Sequence, residues 1–99
     1  TGFATNVFYP FDAFAWRRGE DRIVRYALPG AHFFGTAFCR DCGAPVPRPQ
    51  RERGVAVVAA GSFAVDPGIR PSAHLYVGSS APWDAIHDDL PRHVDGPPA

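Results

Sequence analysis

The 99-residue sequence contains no Met, no Lys and only two Cys, and none of its apolar runs is long enough to cross a bilayer. Ten acidic residues balance ten basic ones, so no net charge attracts the chain to nucleic acid or to an anionic membrane surface. The first residues also lack the charged and then apolar pattern of a secretory signal. These absences argue against nucleic-acid and membrane partners and favour a cytoplasmic protein.

Two cysteines are too few for the disulfide framework of a small secreted domain, which uses four or more at wider spacing. The absence of Met and the start at Thr1 indicate a processed or truncated piece of a longer protein. We therefore expect a single domain over 1–99 that is truncated at its N-terminus. The tail at about 92–99, which ends in Pro-Pro-Ala, is expected to be flexible.

Helix-breaking residues are abundant, with 11 Pro and 10 Gly spread along the chain. They leave little room for a long helix, while an apolar share of 45% is sufficient to build a core. The short segments between them have the alternation and the aromatic content of strands. The sequence thus predicts an all-β fold of short antiparallel strands.

Individual strands are predicted from the side-chain pattern and the turn residues. The segment at 55–60 is apolar on both faces, which indicates a buried strand. The alternate prolines at 45, 47 and 49 fit only an extended edge or a bulge, because each removes a hydrogen-bond donor. Further strands are predicted at 3–9, at 22–26 in a hairpin around the polar turn at 18–21, at 32–38 and at 74–77.

The centre of the sequence is the Cys-x-x-Cys-Gly motif at 39–43. Two thiolates at this spacing on a tight turn can bind one metal ion, and Gly43 gives the turn its conformational freedom. The redox interpretation of the same spacing requires a helix after Cys39, which the following prolines oppose. Metal binding by Cys39 and Cys42 is the favoured interpretation, with redox chemistry and two inert core thiols as alternatives.

A structural zinc site normally has four protein ligands, and this sequence offers two cysteines. None of the four histidines has the short spacing of a second ligand pair, so each is expected to be a surface or packed side chain. The remaining two ligands are expected upstream of Thr1. The histidines are His32, His74, His87 and His93.

Other groups of side chains have simpler structural explanations. His87 with the following Asp88 and Asp89 resembles an acid/base cluster, but charged residues near a chain end are usually solvated. Several aromatic residues could line a pocket, although aromatics in strands usually belong to the core. These are Phe3, Phe8, Trp16, Phe33 and Phe34. No catalytic or substrate-binding residue is assigned.

A series of motifs resembles one known family, the glutathione-dependent formaldehyde-activating enzymes (the GFA family) and the related centromere protein V domains. The resemblance extends from Thr1-Gly2 to about Pro91. Its motifs are Phe-Cys-Arg-Asp-Cys-Gly at 38–43, Gly-Ser-Phe at 61–63, Asp-Pro-Gly-Ile-Arg-Pro at 66–71, His-Leu-Tyr-Val at 74–77 and Pro-Trp at 82–83.

The resemblance implies a β-tent, in which small antiparallel sheets lean together over a structural zinc ion held by four cysteines. Cys39 and Cys42 match the second pair of that set. In the family, the first pair is an N-terminal Cys-x-Cys, and a Cys-x-Cys-x-x-Cys cluster before a Thr-Gly carries the catalytic zinc. Both clusters are absent from this sequence, so the resemblance assigns no catalytic residue here.

The reaction that the resemblance implies is carbon–sulfur lyase chemistry, in which formaldehyde is joined to the thiol of glutathione or released from it. Zinc is the implied cofactor, and a small thiol such as glutathione is the implied partner. A non-catalytic, zinc-stabilised β-tent binding module is the alternative, and a nucleic-acid-binding zinc ribbon is disfavoured by the zero net charge. The oligomeric state is left open, with a homodimer through edge strands as one option.

Overall fold

The computed structural model of the chain describes residues 2–32 and 34–97. Within these residues all regular structure is β-strand or short 3₁₀ helix, and no α-helix is present. The all-β prediction is therefore confirmed. The five strands are β1 (Asn6–Pro10), β2 (Ile23–Ala27), β3 (Gly35–Cys39), β4 (Arg48–Gln50) and β5 (Val55–Ala59). The 3₁₀ helices are Phe11–Ala13, Glu20–Arg22, Arg51–Arg53, Ala60–Ser62 and Val77–Ser79.

A three-stranded antiparallel sheet has the order β1-β5-β4, with β5 in the centre. The sequence of β5 is Val-Ala-Val-Val-Ala, and its β-branched side chains fit a pleated, covered surface. Val7 of β1 lies opposite Val58 of β5, and both are buried. Ala56 is fully buried, so this face of β5 forms the core. The predicted buried strand at 55–60 is confirmed, with its end one residue earlier.

Two of the three prolines after the cysteine motif, Pro45 and Pro49, have extended edge positions, as predicted. Pro49 is in β4, which pairs only with β5, and it lies opposite Ala56. Pro45 forms an isolated antiparallel bridge with Phe38. A residue without an N–H is tolerated at such positions because the strand has one unpaired side.

The second sheet is a hairpin of β2 and β3, with Ile23 opposite Cys39 and Ala27 opposite Gly35. The sequence predicted a hairpin around residues 18–21 instead, and this prediction is wrong: those residues lead into the 3₁₀ helix Glu20–Arg22, and β2 pairs with the chain that follows it. Gly35 is required at the hairpin, because a Cβ there would lie 2.6 Å from the carbonyl oxygen of Tyr26.

The predicted strand at 74–77 is also wrong. His74 forms only an isolated parallel bridge with Arg92, and Val77 begins a 3₁₀ helix. The reason is local, because Tyr76 adopts the left-handed conformation with φ of 58° and turns the chain out of an extended path. The alternation of His-Leu-Tyr-Val contains no signal for that turn.

The chain divides into two compact units, Thr5–Val65 and Thr1–Ala4 with Asp66–Ala99. Both sheets belong to the first of these units. In the second unit, residues 91–95 exchange backbone hydrogen bonds with residues 74–78. A single domain over 1–99 and a flexible tail at 92–99 stay predictions. Thr1, Pro98 and Ala99, on which parts of those predictions fall, lie outside the described residues.

Candidate metal site

The cysteine motif lies where β3 ends. Cys39 is the last residue of that strand, residues 40–42 form a turn, and Gly43 follows with φ of 77°. The N–H of Gly43 donates to the carbonyl oxygen of Cys39 at 2.7 Å, and the N–H of Cys39 donates to that of Ala44 at 2.9 Å. The turn is thus closed by main-chain hydrogen bonds on both sides. Both cysteines are free thiols, with Cys39 half-buried and Cys42 exposed.

The sulfur of Cys39 accepts hydrogen bonds from its own turn. The pKa of its thiol is lowered, first by the backbone N–H of Cys42, next by the backbone N–H of Asp41, and then by the thiol of Cys42. Partial burial and the Asp41 carboxylate act in the opposite direction. Backbone N–H groups directed at a sulfur favour the thiolate, which is the form that binds a metal.

Two contacts connect the turn to Arg22, the residue just before β2. The Arg22 side chain forms an ion pair with Asp41, and the N–H of Arg40 donates to the carbonyl oxygen of Arg22 at 2.9 Å. On the other side of the motif, the N–H of Val46 donates to the carbonyl oxygen of Ala37 at 3.0 Å. The position of the two sulfurs is therefore set by the β2–β3 hairpin.

The two thiols fit two corners of a tetrahedral zinc site, because both belong to one tight turn and one of them accepts N–H hydrogen bonds. In residues 2–32 and 34–97, no group of three or more His, Cys, Asp or Glu side chains is placed to hold a metal ion. The donor set within this part of the chain is half of a structural site. Zinc binding by Cys39 and Cys42 stays a prediction.

Over residues 34–97 the structure lacks the helix that the redox interpretation of the motif requires. That interpretation needs a helix after Cys39, and the chain instead makes a turn, bridges Phe38 through Pro45 and continues to β4. The two sulfurs do not form a disulfide. Of the interpretations of the motif, the metal-binding turn is the one that the local geometry favours.

The histidine and aspartate residues near the C-terminus form a structural contact. Nε2 of His74 lies 2.9 and 3.0 Å from the two carboxylate oxygens of Asp88. The pKa of Asp88 is lowered, chiefly by the backbone N–H of Leu90 and next by His74. Asp88 therefore links residue 74 to the chain at 88–90, and the apparent acid/base cluster at 87–89 has a simple structural role.

An apolar cleft of about 370 Å³ lies in the unit formed by Thr5–Val65, and the sequence analysis did not identify it. Three aromatic residues line it, namely Tyr9, Phe14 and Phe63. The rings of Tyr9 and Phe63 pack edge to face with their centroids 6.3 Å apart, and Phe14 packs edge to face on Trp16 with a centroid distance of 4.9 Å. The remaining lining residues are Ala13, Pro47, Val58 and Ser62. These residues come from distant parts of the chain, so only their aromatic character was visible in the sequence.

The aromatics singled out from the sequence are placed differently. Phe3, Phe8 and Phe34 are 73%, 45% and 60% exposed, so they belong neither to the core nor to the walls of this cleft. Trp16 is half-buried and touches the cleft only through Phe14. Phe33 lies outside the described residues.

The comparison with known proteins places this arrangement in a family. The family model described as glutathione-dependent formaldehyde-activating enzyme, GFA, matches residues 1–79 of the 99. The chain belongs to the GFA family. Searches of the curated proteins and of the solved structures gave no significant match.

The GFA match includes both sheets and the cysteine turn, and it ends with the 3₁₀ helix Val77–Ser79. The small antiparallel sheets are consistent with the β-tent that the GFA resemblance implied. Among the described residues, none of the helical segments has the length and hydropathy needed to cross a membrane.

Proposed function

We propose that this chain is the β-sheet body of a zinc-dependent, carbon–sulfur lyase-like protein that acts on adducts of glutathione and formaldehyde or on a related thiol–carbonyl adduct. The observation that carries the proposal is the GFA family match over residues 1–79, which contains Cys39 and Cys42 in their turn. A cytoplasmic location is part of this proposal, because cysteines that hold zinc as thiolates suit a reducing compartment.

Cys39 and Cys42 would hold a zinc ion as thiolates, and the other two ligands would come from outside the described residues. The N–H groups of Asp41 and Cys42 support this role by stabilising the Cys39 thiolate. A zinc ion closed by four ligands contributes folding free energy and has no open position for substrate. In this proposal the two cysteines therefore hold the end of the hairpin in place, and they have no catalytic role.

The proposed reaction forms one carbon–sulfur bond. The glutathione sulfur adds to the carbonyl carbon of formaldehyde, and the thiol proton passes to the carbonyl oxygen, which gives S-(hydroxymethyl)glutathione. The reverse direction breaks the same bond and returns the proton to sulfur. A second zinc ion at an open site would supply the lowered thiol pKa that this addition needs at neutral pH, and its ligands would come from outside the described residues.

A zinc-stabilised binding module without catalysis is the second candidate. The feature that favours it is the apolar cleft lined by Tyr9 and Phe63, because such a cleft can bind a ligand without a catalytic metal. Such a module would depend on zinc for its fold and leave the thiol–carbonyl equilibration at its uncatalysed rate.

Exchange NMR with isotope-labelled formaldehyde and glutathione tests the proposal. It measures how fast label moves between free formaldehyde and the S-hydroxymethyl adduct. The protein measured contains this chain together with the segment that would supply the open zinc site, loaded with zinc. It is expected to raise this rate above that of buffer, and Cys39→Ser is expected to abolish the increase through loss of the fold. Arg17→Gln, at an exposed position away from the turn, is the control and should match the unmodified protein. Equal rates with and without protein would contradict the lyase and favour the module.

A further inference from the structure

A second cavity, of about 290 Å³, lies in the unit that contains Asp66–Ala99. Its walls are Val77, Ser80, Asp84, Ile86 and Arg92. Four of these residues, Ser80, Asp84, Ile86 and Arg92, lie beyond residue 79, where the family match ends. The cavity is close to the lower limit of about 300 Å³ for small-molecule sites, which suits a group the size of an amino acid.

Main-chain contacts hold the two walls of this cavity together. The N–H of Val77 donates to the carbonyl oxygen of His93 at 3.1 Å, and the N–H of Gly78 donates to that of Val94 at 3.2 Å. Tyr76, in the left-handed conformation, directs the chain into the 3₁₀ helix that follows. The side chains of Val77 and Arg92 are thus placed by fixed backbone. A strained residue beside a cavity is a common feature of binding sites.

The cavity contains two opposite charges that are not paired with each other. Within residues 2–32 and 34–97 the ion pairs are Arg22–Asp41, Arg70–Asp66 and His74–Asp88, so neither Asp84 nor Arg92 takes part in one. Arg92 donates from Nη2 to the carbonyl oxygen of Asp88 at 3.2 Å, and its charge also acts on the Asp88 carboxylate. Its other N–H groups are retained for a ligand. Asp84 is half-buried, and a half-buried carboxylate gains from a cationic partner.

The remaining wall residues indicate which chemical groups of a ligand would fit between the two charges. The Ser80 hydroxyl donates to the carbonyl oxygen of Val77 at 2.9 Å, which leaves its oxygen free to accept a hydrogen bond. Val77 and Ile86 offer aliphatic surface for methylene groups. The complement of this cavity is a small molecule with an ammonium group, a carboxylate and a short aliphatic chain.

We propose that this cavity binds the zwitterionic α-amino-acid group of a small molecule, with Arg92 receiving the carboxylate and Asp84 with Ser80 receiving the ammonium group. A guanidinium group matches a carboxylate through two parallel N–H donors. Two molecules present this group, namely a free amino acid such as L-glutamate and the γ-glutamyl end of glutathione. The assignment of the zwitterionic group to glutathione rests on the proposed function, whereas its assignment to a free amino acid does not.

Titration calorimetry of the zinc-loaded protein distinguishes the ligands. L-Glutamate and S-methylglutathione carry the zwitterion without a free thiol, and N-acetyl-L-glutamate lacks the ammonium group. The first two are expected to bind, with N-acetyl-L-glutamate at least about tenfold weaker. Tighter binding of S-methylglutathione than of L-glutamate identifies glutathione as the source, and the opposite order identifies the free amino acid.

Substitutions of the wall residues test whether the ligand binds in this cavity. Asp84→Asn and Arg92→Gln are each expected to weaken binding by at least about fivefold, and Arg92→Lys by less, because it keeps the charge without the forked donors. The matched controls Asp89→Asn and Arg17→Gln, both exposed, should bind as the unmodified protein does. Circular dichroism checks that each variant is folded. If Arg92→Gln does not fold, Arg92→Lys is used to test the role of Arg92.

Two results would overturn the proposal: no heat from either zwitterion up to about 10 mM, or equal affinity in Asp84→Asn, Arg92→Lys and the controls. These outcomes are separate from the fate of the lyase proposal, because L-glutamate contains neither thiol nor carbonyl adduct. Binding of L-glutamate without faster formaldehyde exchange would leave the cavity assigned and the lyase rejected. Faster exchange without binding of either zwitterion would support the lyase and reject the proposed role of the cavity.

Discussion

Arg22 forms an ion pair with Asp41, so the residue just before β2 holds the middle of the cysteine turn at the end of β3. The backbone makes the same connection, since the carbonyl oxygen of Arg22 accepts the N–H of Arg40. The two side chains are 59% and 48% exposed, and such pairs contribute at most about 1 kcal/mol to stability. The main role of the pair is therefore to orient the turn.

Arg22→Ala is expected to weaken zinc binding by up to about fivefold, because the turn loses one of its two contacts with residue 22 while both thiols remain. Competition with a chromophoric chelator measures this affinity. Arg17→Ala, an exposed arginine outside these contacts, is the control and should have no effect. An Arg22→Ala affinity equal to that of the control would mean that the backbone alone orients the turn.

Cys39→Ser is expected to lower the melting temperature by more than about 10 °C, since a structural zinc ion contributes folding free energy directly. Cys42→Ser should have a similar effect, and a strong chelator should lower the unmodified protein to the same level. Thermal melts followed by circular dichroism, together with a metal assay, check this. A melting temperature that is unchanged after complete removal of zinc would contradict the structural role of the two cysteines.

Gly43→Ala is expected to destabilise the protein by about 1 kcal/mol, because the φ of 77° at this position is costly for a residue with a Cβ. Space does not limit the substitution, since no atom lies within 4 Å of the added carbon. Gly61→Ala is a matched control, also in open space but without a positive φ, and should be neutral or slightly stabilising. Chemical denaturation of both variants measures the difference, and equal stabilities would refute the backbone argument.

Asp88 is expected to make stability depend on pH below neutrality. Its folded-state pKa lies below the unfolded value of about 3.9, so its contribution is complete above that value and is lost as the pH falls through the lowered pKa. Asp88→Asn should therefore melt earlier than the unmodified protein at pH 7, and the two should converge as the pH falls below the lowered pKa of Asp88. Asp89→Asn, which is exposed, provides the control. A difference that persists at low pH would exclude the carboxylate charge as its cause.

Features encoded by neighbouring residues could be predicted from the sequence. The buried strand around Ala56, the edge position of Pro49 and the helix-free turn after Cys39 each follow from local composition, and the structure confirms all three. The family could be identified for the same reason, because its motifs are short, ordered segments of the chain.

Features that depend on long-range contacts could not be predicted. The partner of β2 is β3 and not the preceding segment, and the side chains of Tyr9, Phe14 and Phe63 meet only after the chain has folded. The left-handed Tyr76 has no local signal, since this conformation is normally adopted by glycine or asparagine. Likewise, the pairing of His74 with Asp88 joins residues 14 positions apart and gives the apparent acid/base cluster an ordinary structural explanation.

Tyr76 also sets a limit on engineering. A glycine would adopt its backbone conformation without strain, so a screen for heat resistance should favour replacement of the tyrosine. The ring is needed elsewhere, since its hydroxyl would lie only 2.9 Å from a Cβ at Gly96 and so fills the space beside the C-terminal segment. Relief of the backbone strain at residue 76 would therefore come with loss of this ring contact beside Gly96.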